Sequence, residues 1–306
     1  MILKSIITWI DNSAKTQNKT NADEQIELIR ILPFILIHLA CLGVIWVEIS
    51  TTAVIVALVL YAIRMFAITG FYHRYFAHKA FKTSRFTQFI FAFLGATAAQ
   101  RGPLWWASHH RHHHAYSDKA QDTHSPVQHG FLWSHLGWFL ANKNFSTDTE
   151  RVKELTQYPE LRFLDRFDAF APLLLGLSLY ILGIWLDQQY PALNTSGEQL
   201  LVWGFAISTV AVYHMTFTVN SLAHVWGKRR YATPDDSRNN FWIALFTLGE
   251  GWHNNHHHYP GAARQGFYWW EIDLTYYGLK LLAAFGLIWQ LRMVPTDIRN
   301  SRRVRT

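Results

Sequence analysis

Four stretches of this chain are long and apolar enough to cross a lipid bilayer, and they decide what it can fold into. They cover residues 31–47, 52–70, 170–186 and 200–219, each close to the ~20 apolar residues that span hydrocarbon as a helix. The expected fold class is therefore all-α, an integral membrane protein with four transmembrane helices. Composition agrees: half of the residues are hydrophobic and only 16% are charged, against ~25% in soluble domains. A length of 306 residues would fill two soluble domains, but the spans argue for one integrated membrane domain over residues 1–306. Cys41 is the only cysteine, which excludes an internal disulfide and a thiolate cluster. The first fifteen residues lack the apolar core and cleavage site of a signal peptide.

The connections 48–51 and 187–199 contain no Lys or Arg, whereas residues 4–30, 74–166 and 228–306 carry nearly all the positive charge. The positive-inside rule places both termini in the cytosol, with a cytosolic cap built from 71–169 and 220–306. Arg64 lies within the second span about a turn and a half from its cytoplasmic end, close enough for its side chain to snorkel outward. Two further apolar runs, 86–99 and 277–291, are too short to cross. Each reads as an interfacial helix or as a core helix of the cap.

Nine of the seventeen histidines fall in four clusters, all on the cytosolic side of the spans. They are His73 and His78 in HRYFAH, His110, His113 and His114 in HRHHH, His224 in NSLAH, and His253, His256 and His257 in GEGWHNNHH. Neutral imidazole suits iron, zinc, copper or nickel, and nine imidazoles exceed what one tetrahedral ion takes, so a two-metal centre is the economical reading. The i, i+3, i+4 spacing of 110/113/114 and of 253/256/257 puts each set on one helix side. His73 and His78, five apart, leave an ideal helix face, so the chain is expected to unwind there. Asn220 shares a face with His224 and would reach a metal through water.

Any one cluster has a plainer reading: HRHHH alone is also a solvated basic patch or an adventitious zinc site. Together the clusters leave little room for that. His38 and His214 lie within spans and are expected to hydrogen-bond across helices. His109, His112, His124, His129, His135 and His258 are read as supporting or surface groups, with His124 held open as part of a lid.

HRYFAH, HRHHH, NSLAH followed by WGKRRY and DDSRNN, and GEGWHNNHHHYP resemble the histidine boxes of the membrane-bound fatty acid desaturases, most closely the acyl-CoA Δ9 branch. The match runs from about residue 69 to 260. The resemblance implies four transmembrane helices below a cytosolic helical cap that encloses two non-haem irons. It makes the nine clustered histidines the iron ligands, with Asn220 acting through water. It also implies that Gln100, Trp106 and Thr216 line a bent acyl tunnel, and that residues 131–138, FLWSHLGW, play a structural part. Phe217 stands where animal members have Trp, and Ser108–His109 where they have an Arg–Asp pair that helps hold CoA.

The implied reaction uses O2 and two electrons to place a cis double bond, Δ9 in this branch, in a saturated long-chain acyl thioester, acyl-CoA. Such C–H bonds have no acid–base handle, so metal–oxygen chemistry and positioning must do the work. The net charge of +7 and a basic face including Lys228, Arg229, Arg230 and residues 299–305 suit CoA phosphates or anionic lipid headgroups equally. Nothing after the last box resembles a haem or flavin domain. The expected electron donor is a separate ferredoxin, rubredoxin or cytochrome with its reductase, and no nucleic acid is involved. A bacterial inner membrane is favoured over an endoplasmic reticulum. The alternatives are a desaturase of phospholipid acyl chains, a di-iron fatty acid or alkane hydroxylase, and a zinc-binding or metal-transport membrane protein.

Overall fold

The computed structural model describes residues 6–12 and 25–304; Lys4 and most of the first fifteen residues' signal-peptide reading, like Arg305 of the basic tail, lie outside them. Four helices are long and apolar enough to cross a membrane: Leu28–Ile45, Thr51–Ala77, Phe170–Gln189 and Gly197–His224. The expected spans lie within three residues of these at every end except the histidine ends of the second and fourth. Ser50 starts the second span by accepting a hydrogen bond from the Ala53 amide, a cap that replaces a missing intrahelical partner. The first, second and third spans all pack on the fourth. At the end away from the histidines the third and fourth spans touch backbone to backbone, since a Cβ on Gly183 would lie 2.4 Å from the Ser196 carbonyl oxygen.

The outer faces are apolar. Leu36, Leu39, Leu58, Leu173, Leu177 and Ile181 are all exposed, a surface that water does not favour and lipid does. Long apolar helices with such faces make this a membrane protein.

Arg64 does not snorkel outward. It is 1% exposed and turns into the bundle, where it donates to Thr209 Oγ1 at 2.6 Å, to Ser208 Oγ and to the Thr97 carbonyl. These acceptors satisfy the guanidinium inside the protein and join the second span to the fourth.

The cap is helical. Helix α1 (Arg85–Ala96) is a wall of the main core: Phe91 stacks on Phe71 of the second span with centroids 3.6 Å apart. Its Phe86 remains 74% exposed. The run 277–291 is not one helix. Helix α2 (Leu274–Ala284) ends, the chain turns at Gly286 with φ of 71°, and Ile288–Trp289 pairs antiparallel with Lys82–Thr83. That two-residue ladder is the only sheet among the described residues.

Candidate metal centre

The nine clustered histidines converge as two groups. His73, His78, His110, His114 and His256 form one; His113, His224, His253 and His257 form the other, each with its ligating atoms within 4.8 Å of one another. The helix Pro103–Tyr116 and the helix His253–His258 do not each point their three histidines at one place, as the spacing alone predicts. The i and i+4 members go to one group and the i+3 member to the other. Successive α-helical residues turn by 100°, so i+3 and i+4 diverge by that angle and a helix can straddle two centres.

His73 and His78 meet by a different device. The second span does not unwind but widens into a π-helix over Ala67–Ala77, and the His78 amide donates to the His73 carbonyl at 3.1 Å, an i to i+5 bond. The wider turn returns residues five apart to one side.

The helix carrying HRHHH starts at Gly102 with Pro103 in its first turn, where a missing N–H costs nothing. Asp165 accepts from the Trp105 amide at 2.7 Å and sits so close that a Cβ on Gly102 would meet the Asp165 Cα at 2.3 Å. In GEGWHNNHH the asparagines are ties, not ligands. Asn254 accepts from the Arg230 and Tyr231 amides, and Asn255 donates to the Gln265 carbonyl and to Glu271.

Carboxylates orient the rings. Asp122, Asp118 and Asp235 accept from Nδ1 of His113, His224 and His257 at 2.9, 2.8 and 2.8 Å, and Glu250 lies 2.5 Å from Nδ1 of His73. Each bond fixes the tautomer and leaves Nε2 bare for a metal. Glu250 is held in turn by Arg74 and Gln265. His124 also binds Asp122 at 3.0 Å, so it supports the site. None of the four carboxylates was singled out from sequence. Their one signal there is an acid inside or just after each box region: Glu250 in GEGW, Asp235 in DDSRNN, Asp118 and Asp122 after HRHHH.

The donor set fits metal ions. In the first group Nε2 atoms face one another: His73 to His256 at 3.1 Å, His78 to His110 at 2.7 Å, His114 to His110 at 3.0 Å and His256 to His114 at 2.9 Å. Imidazole nitrogens about 2.1 Å from one ion stand roughly that far apart, and bare lone pairs in such contact repel without a cation. In the second group His257 Nε2 and His253 Nδ1 are buried with no hydrogen-bond partner, an arrangement native interiors avoid. Burial first, then neighbouring imidazoles, holds His78, His110, His114, His253 and His256 well below the ordinary histidine range, and His257 at about 4. These six therefore present bare nitrogens at neutral pH. His113 is the exception: burial pulls it down, but Asp122 outweighs that and raises it.

A cavity of about 340 Å³ reaches this site, within the size range of ligand pockets. It is lined by Gln100, Trp106 and Thr216 together with apolar residues such as Phe34, Phe139 and Phe217, and it meets His110 and Asn220. A smaller pocket continues past Trp106, Thr216 and Asn220 to Met65 and Ile68, with His73, His113 and His253 on its wall. Gln100 donates to Thr216 Oγ1 at 3.1 Å, and Trp106 stacks on His110 with centroids 5.0 Å apart. FLWSHLGW buttresses the joint: Ser134 donates to the Asn220 carbonyl and His135 contacts Ser221 Oγ. His38 and His214 do pair across spans, Nε2 to Nε2 at 3.3 Å, away from the metal groups.

A profile of the family described as "Fatty acid desaturase" matches residues 50–290. The chain is 38% identical over 234 residues to palmitoyl-monogalactosyldiacylglycerol delta-7 desaturase, chloroplastic, of Arabidopsis thaliana, covering 76% of this chain and 59% of that protein. It is 38% identical over 234 residues to acyl-CoA C20 Delta5-desaturase of Anemone leveillei, covering 76% and 70%. It is 36% identical over 277 residues to sn-1 stearoyl-lipid 9-desaturase of Anabaena variabilis, covering 90% and 97%.

Proposed function

The chain belongs to the fatty acid desaturase family, and from that premise we propose that it inserts a cis double bond, at Δ9, into a saturated long-chain acyl group. One observation carries the reading: an apolar cavity and a smaller pocket meet at Trp106, Thr216 and Asn220, beside residues of both histidine groups. Two irons are the metals in this proposal, one held by His73, His78, His110, His114 and His256, the other by His113, His224, His253 and His257 with Asn220 through water. The chemistry such a pair supplies is oxidation by O2: two hydrogens leave adjacent methylenes and, with two electrons and two protons, O2 becomes two waters.

The remaining work falls to the chain's own residues. Phe34, Phe139 and Phe217 desolvate the acyl chain and keep water from the reacting carbons. Gln100 and Thr216, tied by their hydrogen bond, hold the bend. Trp106, stacked on His110, sets which methylenes face the site. The whole chain, residues 1–306, acts as one domain, with the site and both termini on the cytoplasmic side of the membrane by the charge asymmetry of the loops. Electrons come from a separate ferredoxin, rubredoxin or cytochrome.

The carrier of the acyl chain divides two readings. The histidine boxes resemble those of acyl-CoA enzymes, whereas the Anabaena variabilis relative, similar over 90% of this chain, is by name a stearoyl-lipid desaturase. Expression in a desaturase-deficient host, with fatty acids analysed by gas chromatography and mass spectrometry, tests the reaction. A new Δ9 monounsaturated acid is expected; a hydroxylated acid instead would transfer the chain to the hydroxylase reading.

A further inference from the structure

Residues 97–102 link helix α1 (Arg85–Ala96) to the helix that carries HRHHH, Pro103–Tyr116. Gln100, in the middle of this link, lines the larger cavity. The residues on either side of it both take a left-handed backbone: φ is 55° at Ala99 and 69° at Arg101. Neither is glycine, so each Cβ crowds its own backbone. Such strain persists only where the surroundings over-determine it, and it gathers at functional sites.

Two spans supply the restraint. From the fourth, the Tyr213 hydroxyl donates to the Ala99 carbonyl at 2.8 Å, and Thr216 Oγ1 accepts from the Gln100 side chain. Tyr213 and Thr216 stand three apart on the helical stretch Ser208–Asn220, hence on one face, and they grip successive residues of the link as a two-point clamp. From the second span, Arg64 donates to the Thr97 carbonyl at 3.4 Å and Tyr72 to the Arg101 carbonyl at 3.5 Å. Tyr213 is buried, as are Arg64, Tyr72 and Gln100.

The link also fixes a spacing. It runs directly into the helix on which Trp106 stacks against His110, and Asp165 pins the start of that helix through the Trp105 amide. Tyr72 precedes His73 on the second span, and Asn220 lies four residues past Thr216 on the fourth. The clamp therefore sets Gln100, on the cavity wall, relative to elements that carry residues of both histidine groups. Tyr213 has a separable part in this: its ring lines the cavity, while its hydroxyl bonds to the link.

We propose that Tyr213 is a positioning residue that sets where along the acyl chain the double bond is placed, acting through the Ala99 carbonyl on Gln100. The inference rests on the desaturase reading and deepens it. Without the hydroxyl, the Ala99 carbonyl loses its partner, the left-handed residues are released to relax, and Gln100 is held from the fourth span by Thr216 alone. An acyl chain lying against a displaced Gln100 presents different methylenes to the site.

The test compares Tyr213→Phe, which keeps the ring and removes the hydroxyl, with the natural chain and with Tyr61→Phe. Tyr61 gives its hydroxyl to the Phe246 carbonyl at 2.6 Å, so the control removes a bond of the same kind outside the link. Each full chain is expressed in a desaturase-deficient host, and double-bond positions in the fatty acids are located chemically with gas chromatography and mass spectrometry. The ratio of the main positional isomer to its neighbours should fall about two- to tenfold in Tyr213→Phe, the loss of one hydrogen bond converted to a ratio, and stay unchanged in Tyr61→Phe. That ratio is internal to each sample, so a lower protein level does not move it. Hydrogen exchange on the purified chains should show residues 97–102 opening faster in Tyr213→Phe by a similar factor. An unchanged isomer ratio in Tyr213→Phe, with or without faster exchange, would overturn the proposal, and so would an equal shift in Tyr61→Phe. No double bond from the natural chain would remove the desaturase reading and this proposal with it, whereas an unchanged ratio among double bonds that do form overturns this proposal alone.

Discussion

Asp235 holds Nδ1 of His257 at 2.8 Å and leaves the ring's other nitrogen, Nε2, buried without a hydrogen-bond partner. The carboxylate decides which nitrogen is bare, and the fold decides that nothing in the protein fills it. Ser237 donates to the same carboxylate at 2.5 Å, so the aspartate is itself fixed. With His257 and Ser237 as partners it stays ionised far below the usual range, although burial opposes this.

Asp235→Asn can present its amide NH2 to His257, which turns the imidazole toward the wrong tautomer. Loss of a carboxylate behind a histidine ligand costs about 10- to 100-fold in metal affinity. The expected result is a folded protein whose iron content, measured after equilibration against a graded chelator series, falls by that factor. Unchanged affinity would show that Asp235 serves folding alone.

A second prediction concerns the carboxyl that starts the HRHHH helix. Burial raises the Asp165 pKa to about 6 even though the Trp105 amide and Thr147 hydroxyl pull the other way. A carboxyl with a raised folded pKa adds no penalty below its unfolded value near 4. It loses stability as pH climbs from about 4 to 6, and above that the loss is complete, about 3 kcal/mol for two units. Asp165→Asn keeps an acceptor for Trp105 and removes the charge. Thermal unfolding should therefore show the variant matching or exceeding the natural chain at pH 8, with the relative gain shrinking toward pH 4. The opposite trend would mean the ionised carboxylate is needed at the helix start.

The bend proposed for the acyl tunnel would rest on one hydrogen bond. Thr216 Oγ1 accepts from Gln100 and donates to the Val212 carbonyl at 2.8 Å. Thr216→Val keeps the volume but strands the Gln100 amide, only 8% exposed, at a cost of about 1–3 kcal/mol. A shifted bend moves the reacting methylenes, and a 1 Å error can cost about a hundredfold in rate. The product should spread over neighbouring double-bond positions with lower kcat, and Thr216→Ser should restore a single product. A single unchanged position in Thr216→Val would remove Thr216 from the bend.

What could be read from the sequence follows from the range of the forces involved. Span placement needs only a count of apolar residues, and the pairing of His38 with His214 follows from polar groups seeking partners in hydrocarbon. The π-turn that joins His73 to His78 is a shift in hydrogen-bond register, which leaves no compositional trace beyond an awkward spacing. The sharing of each histidine triplet between two groups depends on where a third helix stands. Arg64 looked like a snorkelling residue because its acceptors, Ser208 and Thr209, lie 144 and 145 positions away. Asp118, 106 positions from His224, was hidden for the same reason, since only the folded cap brings them together.

The sharpest contrast lies between two histidines of similar sequence appearance. His257 is buried in the second metal group, and its ring touches those of His113, His114, His224 and His253. His38 is half-buried in the first span, bonded to the Phe34 carbonyl and to His214. His257→Ala removes one of the proposed metal ligands from the cap and touches no lipid-facing helix surface, so it should abolish turnover while membrane insertion and expression stay normal. His38→Ala gives up hydrogen bonds worth about 1 kcal/mol each and should keep activity within a small factor. Fatty acid profiles of hosts expressing each variant, normalised to membrane-inserted protein, make the comparison. Equal loss in both would mean that the two His groups are not what sets turnover.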